Sequence, residues 1–402
     1  MKNKFAAIDV GTTKVCTIIA DNSGVAGFRV LGVGISPSQG MHKGIVVNVD
    51  EAKESIRDSV RKAEQVAGCK IESACVGVTG RHINSVNTQG AIAITRHDQL
   101  VRTDDLKRVL EVAHSVKMPN ERKLLHVIPR TYKVDGQEGV KNPVGMHGFR
   151  LDVETHVITA AITSIQNLTK CIRSVGVEVE DLILEPLASA EAVLTDEERQ
   201  DGVMMADIGG GTTDIAVYKD NNIYYTSVLP VAGYQVTRDI SIGLGLSFEL
   251  AEEMKKRYGN LALDTSSTSE VDRTLTEDGH SISYSKLSEI IQIRMEELLR
   301  LMIMELPRTE YSKLIPSGLV LTGGGANLPG IAEFAESALR LPVRVGTPMR
   351  LDGVSDVLLN PAYATGVGIL LWQATGKNKQ DLHAVRENTV RRFVSRIFRL
   401  FR

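Results

Sequence analysis

Two segments far apart in the chain carry the same residue types in the same order, and the chemistry they suit is phosphate binding. Lys4–Val10 (KFAAIDV) runs into Gly11–Lys14 (GTTK), and Val203–Ile208 (VMMADI) runs into Gly209–Thr213 (GGGTT). Each is an apolar run with an Asp near its end, then a glycine turn with paired threonines, then a second run, Val15–Ala20 or Asp214–Tyr218. Glycine lets backbone N–H groups approach oxygen atoms closely, and Thr hydroxyls add donors. Gly11, Thr12, Thr13 and Lys14 are therefore candidates for one side of a polyphosphate. Gly209, Gly210, Gly211, Thr212 and Thr213 are candidates for the other. Lys14 would neutralise a phosphate oxygen; the alternative is a solvated lysine beside a turn. Asp9 and Asp207 suit Mg²⁺ held through water, because Mg²⁺ keeps much of its hydration shell. Their alternative is to cap the turn's own N–H groups, and Asp214 reads as structural. One such turn carries little weight; two with the same Asp offset carry far more. Neither GxxxxGK[ST] nor a GxGxxG opening a helix occurs, which argues against the P-loop and Rossmann classes.

A third glycine cluster lies in Leu319–Gly330 (LVLTGGGANLPG). A strand, Leu319–Thr322, ends in Gly323, Gly324 and Gly325, with Ala326 next and a helix from about Ile331. Backbone this bare can lie flat against a base or ribose. It can equally be a tight strand-to-helix turn.

The elements that must position these residues follow from the pattern. Both phosphate-type units read as strand, turn, returning strand, and their recurrence predicts an internal duplication with two similar halves. Thr365–Leu371 (TGVGILL) reads as a helix whose small residues permit close packing between the halves. Glu185–Ala188 (EPLA) begins a similar helix, with Pro186 in its first turn.

The chain ends in Glu387–Arg402 (ENTVRRFVSRIFRLFR). Read as a helix, it gathers Val390, Phe393, Val394, Ile397, Phe398 and Phe401 on one face. Arg391, Arg392, Arg396, Arg399 and Arg402 fill the rest with no carboxylate from Thr389 onward. A cationic face opposite Phe and Ile is the pattern of a helix lying in an anionic membrane interface. The polar stretch Gly376–Arg386 before it reads as a tether. The alternative is a terminal helix docked on its own domain.

The 402 residues suffice for two domains or one bilobed one, and 43% hydrophobic with 24% charged residues is ordinary globular composition. A net charge of −2 gives the body no general attraction for nucleic acid. The four cysteines form no CxxC pair and read as core residues of a reducing compartment. The histidines, His42, His82 and His126 among them, show no metal-ligand spacing. No signal peptide is expected, since Asp9 and Gly11 break the first apolar run, and no run approaches the ~18 apolar residues of a membrane span.

Together these residues resemble the superfamily of actin, heat-shock chaperones and sugar kinases. The resemblance implies an α/β, bilobed actin-like ATPase fold with ATP in the cleft. Asp9–Lys14 and Asp207–Asp214 match its two phosphate motifs, Glu185–Ala188 and Ala364–Gly368 its connecting helices, and Leu319–Leu328 its adenosine motif. Ala251–Lys255 (AEEMK) resembles the segment that places Glu252 and Lys255 by the adenosine. Glu185 matches a position that can carry a polar catalytic residue, which makes it the candidate for orienting an attacking water. Within the superfamily the chain resembles the FtsA family of bacterial cell-division actin homologues. The discriminating segment is His126–Leu151 (HVIPRTYKVDGQEGVKNPVGMHGFRL), which resembles that family's inserted α+β subdomain. Strand-like runs at Ser85–Thr95 and Val127–Val134 around a helix at about Thr103–Val116 fit it.

The expected layout is 1–82 and 160–195 for the first nucleotide lobe, 83–159 for the insertion, and 196–225 and 307–375 for the second lobe. Residues 226–306 form a smaller subdomain of the second lobe, 376–388 a linker and 389–402 the membrane helix. The insertion leaves and rejoins its lobe at neighbouring positions, so a core without 84–158 is expected to fold. The resemblance further implies a protein that polymerises with itself and binds the FtsZ C-terminal tail through the smaller subdomain. It would meet later division proteins through the insertion and sit on the cytoplasmic face of the membrane at the division site. ATP would act as a structural switch with at most slow hydrolysis. The related pilus protein PilM shares the lobes but would not need its own lipid-binding helix. A small-molecule kinase would need a catalytic Asp facing a sugar pocket, which this sequence does not offer.

Overall fold

The computed structural model describes residues 4–23, 28–114, 119–262, 274–277, 280–306, 311–354 and 356–375. Two sheets with one plan organise them. The first contains β1 (Lys4–Val10), β2 (Lys14–Asp21), β3 (Arg29–Pro37), β6 (Ser73–Val78) and β11 (Glu178–Leu184), in the order β11-β6-β1-β2-β3, with β19 (Asp352–Gly353) at the edge. The second contains β12 (Val203–Ile208), β13 (Thr213–Lys219), β14 (Asn222–Leu229), β17 (Leu319–Thr322) and β18 (Val343–Val345), in the order β18-β17-β12-β13-β14. In each, the central strand pairs antiparallel with the strand after its glycine turn and parallel with its other neighbour. The duplication read from two short motifs thus extends to whole sheets. β12 is buried along its whole length and β1 over its last five residues. Strands covered on both faces read as unbroken apolar runs, which is why both were visible in the sequence.

Two helices cross between the sheets, Glu185–Val193 after β11 and Ala364–Thr375 near the end of the described chain. Neither has a polar face, as expected for helices buried all round. Small residues let them touch backbone to backbone: a Cβ on Gly368 would overlap the carbonyl oxygen of Ala188. On the first sheet, helix Val49–Ala67 is started by the Asn48 side chain and stopped by left-handed Gly68. A small hairpin, β4 (Met41–His42) with β5 (Ile45–Val46), leads into it.

Between β14 and β17 lie helices Gly233–Leu244, Phe248–Tyr258 and Tyr284–Met304, with hairpin β15 (Thr274–Glu277) and β16 (His280–Ser283). On the long helix, Ile291, Met295, Leu298, Leu299 and Met302 are buried and share one core with Met204 and Leu321 of the second sheet.

The insertion is a four-stranded antiparallel sheet, β7 (Asn84–Ala93), β10 (Arg150–Ala161), β8 (Arg122–Val134) and β9 (Gln137–Val140) in that order. Helix Thr103–His114 packs on it at Gly90, where a Cβ would lie 2.6 Å from the Val109 carbonyl oxygen. β7, β8 and the helix stand where the sequence places them, whereas β9 and β10, the strand between β7 and β8, are not among the expected runs. β8 and β10 run on into the first lobe, where Leu125, Ile158 and Ala160 belong to its core. His126 Nε2 there accepts the Leu184 amide at 3.1 Å. Excision of 84–158 would remove Leu125, His126 and Ile158 from that core, so the clean cut expected from the sequence does not match the packing.

The helix crossing yields the first prediction. Gly368→Ala drives a methyl into backbone and is expected to cost about 3 kcal/mol or more, at the upper end for overpacked cores. Gly366→Ala meets only the tip of Ile18 at 3.1 Å and should cost little. Equal losses for the two in denaturant unfolding would contradict the proposed crossing constraint.

Candidate functional site

The two glycine turns, one from each sheet, abut. Each closes in the same way, Gly11 N–H to Lys14 O at 3.0 Å and Gly209 N–H to Thr212 O at 2.9 Å. The amides of Gly11 and Gly209 are thus committed to their own turns. Strand register then aligns Asp9 opposite Cys16 with Asp207 opposite Asp214. In that frame the paired threonines are not equivalent. Thr12 and Thr13 occupy the two middle positions of the first turn, where the second turn has Gly210 and Gly211. The bare turn receives the bulky one: a Cβ on Gly210 would strike Thr13, and one on Gly211 would strike Thr12 Oγ1. Thr212 and Thr213 face inward. Thr213 Oγ1 donates to Val231 O at 2.8 Å and Thr212 Oγ1 to Asp214 at 3.1 Å, so neither hydroxyl is directed at the cleft as the sequence reading expected.

Asp9, Glu185, Asp207 and Asp214 are all buried around the turns. Removal from water raises each carboxyl, that of Asp9 to about 6, that of Asp214 to about 8, and that of Glu185 well above its usual range. Asp9, Asp207 and Asp214 each push Glu185 further up, while Lys14 draws Asp9, Glu185 and Asp207 back down. Lys14 itself lies 5.3 Å from the ring centre of Tyr363. Asp207 is held by the crossing helices: Ser189 Oγ donates to it at 2.6 Å and Thr365 Oγ1 at 3.0 Å. Asp214 accepts from Thr79 at the end of β6. Among the described residues no three His, Cys, Asp or Glu side chains form a chelating cluster, so any cation here takes part of its shell from water or ligand.

Glu185 packs against Gly77, where a Cβ would lie 3.2 Å from Oε1. It lines a small cavity with Val10, Gly44, Thr79 and His82. Burial and the nearby Arg122 hold His82 down to about 4, so its ring is neutral.

Glu252 and Lys255 reach the second turn indirectly. Lys255 Nζ lies 2.6 Å from Glu252, 2.8 Å from Thr237 Oγ1 and 3.2 Å from Gly233 O. Gly233 and Tyr234 in turn donate their amides to Gly209 O and Gly210 O at 3.1 and 2.7 Å. Burial opposes the Glu252 charge, but Lys255 and Thr237 overcome it and leave the carboxyl below its usual range.

The third glycine cluster forms a tight turn between β17 and the helix Ile331–Leu339. Gly323 has φ +84 and a Cβ there would overlap Asp207; one on Gly325 would overlap Ile208. Ala326 is a buried core residue and offers no surface to a ligand. Only Gly324 is open, with nothing within 4 Å of a Cβ. The proposed membrane residues, Phe393, Val394, Ile397, Phe398, Phe401, Arg391, Arg392, Arg396 and Arg399, lie outside the described residues. Thr79, Ser189, Thr365 and Tyr363 escaped the sequence reading. The signal available for Ser189 and Thr365 was a hydroxyl set within the small and apolar residues of each helix, PLASA and ATGVG.

Comparison with known proteins bears on this geometry. Residues 204–368 match the family profile described as Cell division protein FtsA, and residues 80–159 match the SHS2 domain inserted in FTSA. The chain is 42% identical over 380 residues to Cell division protein FtsA of Pseudomonas aeruginosa, covering 94% of this chain and 90% of that one. It is 37% identical to the Bacillus subtilis protein of the same name, covering 91% of this chain and 82% of that one. Among solved structures, a PilM-PilN type IV pilus biogenesis complex aligns with TM-score 0.64 at 16% identity over 92% of this chain and 99% of that one. MreB5 of Spiroplasma citri bound to ADP aligns with TM-score 0.55 at 14% identity over 94% and 98%. These likenesses show the actin-like fold.

The buried carboxylates make stability depend on pH in a defined sense. A carboxyl raised in the folded state binds a proton there that the unfolded chain has lost. Its contribution therefore falls as pH rises from about 4 to the folded value, about 8 for Asp214. Buried His126 and His156, lowered to about 4 and about 3, act oppositely, but only below about 6.5, the unfolded histidine value. Between about pH 6.5 and 8 the carboxyl effect stands clear of them. Asp214→Asn is expected to flatten the fall of Tm across that window. A slope equal to the parent's would show that Asp214 does not hold the proton.

Proposed function

The chain belongs to the FtsA family of cell-division proteins, and from that premise we propose that it binds Mg-ATP between the two glycine turns and uses it as a structural switch. The observation that carries this reading is the opposition of Thr12–Thr13 to Gly210–Gly211 beside four buried carboxylates and Lys14. Such a cluster is costly to ionise alone and fits a divalent cation. Asp9 and Asp207 would hold the cation through water. When bound it would neutralise phosphate charge and return the carboxyls to their ionised forms. Amides of the turns, the Thr12 and Thr13 hydroxyls and Lys14 would meet the phosphates. Glu252, Lys255 and the open backbone at Gly324 would border the nucleoside. Glu185, which lines the small cavity, would orient water there once ionised, and turnover would be slow.

We further propose that the protein polymerises, binds the FtsZ tail through 226–306, and meets later division proteins through the insertion. The helix 389–402 would attach it to the cytoplasmic face of the membrane. Each Arg near an anionic surface contributes about 1 kcal/mol, so five give about 5 kcal/mol at most. A segment this short is marginal as a helix in water, and the interface must supply its order. One copy therefore binds reversibly, and a filament presenting many copies binds stably. The pilus-protein reading loses to the 42% identity with a division protein and to the terminal segment. A pull-down against the FtsZ tail, set beside phosphorylation of a sugar panel, separates scaffold from kinase.

Two substitutions test the two halves of this proposal. Gly210→Val places a branched side chain against Thr13 and is expected to abolish ATP binding in calorimetry while the protein stays folded. Retained affinity would remove the site. Phe393→Asp with Phe398→Asp is expected to release the protein from anionic vesicles and spare ATP binding. Undiminished co-sedimentation would place the anchor elsewhere.

A further inference from the structure

The insertion belongs to the first lobe by its chain and by its core, yet it is fastened to the second lobe. β7 is the edge of the insertion's sheet and β14 the edge of the second lobe's sheet. The two edges lie side by side without a backbone ladder. Ser85 Oγ donates to Thr226 O at 2.8 Å, and Asn87 Nδ2 to Tyr224 O at 3.3 Å. Alternate residues on one strand thus meet alternate carbonyls on the other, running in opposite directions. Behind them, buried His156 on β10 bridges Asn87 Oδ1 at 2.6 Å and Thr226 Oγ1 at 2.9 Å. The Arg130 guanidinium lies 4.7 Å from the ring centre of Tyr224.

A seam made only of side-chain bonds is softer than the ten-residue pairing of β7 with β10 or the ladder of β14 with β13. Any rotation of the lobes about the crossing helices must therefore act on the seam first. β14 moves with the second glycine turn, because Asp214 pairs with Val228 and Ala216 with Thr226. A second tie lies at the turn itself, where Thr79, leading into the insertion, donates to Asp214. We propose that this seam is a latch through which ligand binding at the glycine turns sets how the insertion is held. The proposal rests on the reading of those turns as a phosphate site. The latch is closed in this structure, where the turns abut. A ligand that fixes the second turn against the first favours the closed seam, and a weakened seam in turn weakens the ligand, since coupling is reciprocal.

The test uses the full chain with Mg-ATP, calorimetry and amide hydrogen exchange. Ligand is expected to raise protection at 84–90 and 222–229 together and leave helix 103–114 unchanged. Ser85→Ala with Asn87→Ala alters exposed or half-exposed side chains and should leave the exchange of helix 103–114 as in the parent. It is expected to weaken Mg-ATP at least about fivefold, the lower range of allosteric coupling. Parental affinity in the double variant overturns the latch and leaves the site reading standing. Failure of the parent to bind Mg-ATP overturns both.

Discussion

The contact between Gly368 and the Ala188 carbonyl fixes how close the two lobes can come, and the site depends on that spacing. A larger residue at position 368 would move the helices apart. Ser189 and Thr365 could not then both reach Asp207. Asp207 in turn sits beneath the Gly323 turn, which has no room for a side chain. The site is therefore hung from a backbone crossing, with the hydroxyls as its fittings. Because Glu185–Val193 leaves the first sheet after β11 and packs on β12 and β13 of the second, while Ala364–Thr375 packs on β1, β2 and β6 of the first, the crossing also locks the two duplicated halves into one unit.

Against that close packing stands the electrostatic cost of what it encloses. Four carboxyls share the cleft with Lys14, and burial drives each toward its protonated form. The protein keeps them where a purely structural core would hold apolar groups. Sites that work commonly give up stability in this way. The histidines nearby are kept neutral, so they neither relieve the cluster nor add to its charge.

What the sequence disclosed and what it hid divide along physical lines. β1, β2, β12 and β13 were legible because buried strands between glycine turns leave unbroken apolar runs. The crossing helices were legible from small residues and Pro186. β10 was legible in part and left unused: its first half alternates as a half-buried strand does, Leu151, Val153 and Thr155 being buried while Arg150, Asp152 and Glu154 are more exposed. Its second half, His156–Ala161, reads as part of the lobe, which it also is. The burial of Ala326 was not legible because a glycine turn looks the same whether it greets a base or packs on a strand. Thr79, Ser189 and Thr365 were invisible for a simpler reason: a single hydroxyl has no period, and its partner is set by tertiary packing. The seam between β7 and β14 was equally hidden, because Ser85 and Asn87 look like ordinary solvent-facing residues of an edge strand.

The offset between the two threonine pairs has a consequence for symmetry. Two identical halves facing each other would set Thr against Thr, which collides at this spacing, or Gly against Gly, which leaves a gap. Knob against hole resolves both, and it can be made only by halves that have diverged. The cleft consequently has a handed floor, with hydroxyls and an ammonium on one wall and bare peptide on the other. Whatever lies across it, a phosphate chain on the function proposed above, would meet a different surface on each wall. Duplication supplied the two walls; the loss of their equivalence supplied a direction.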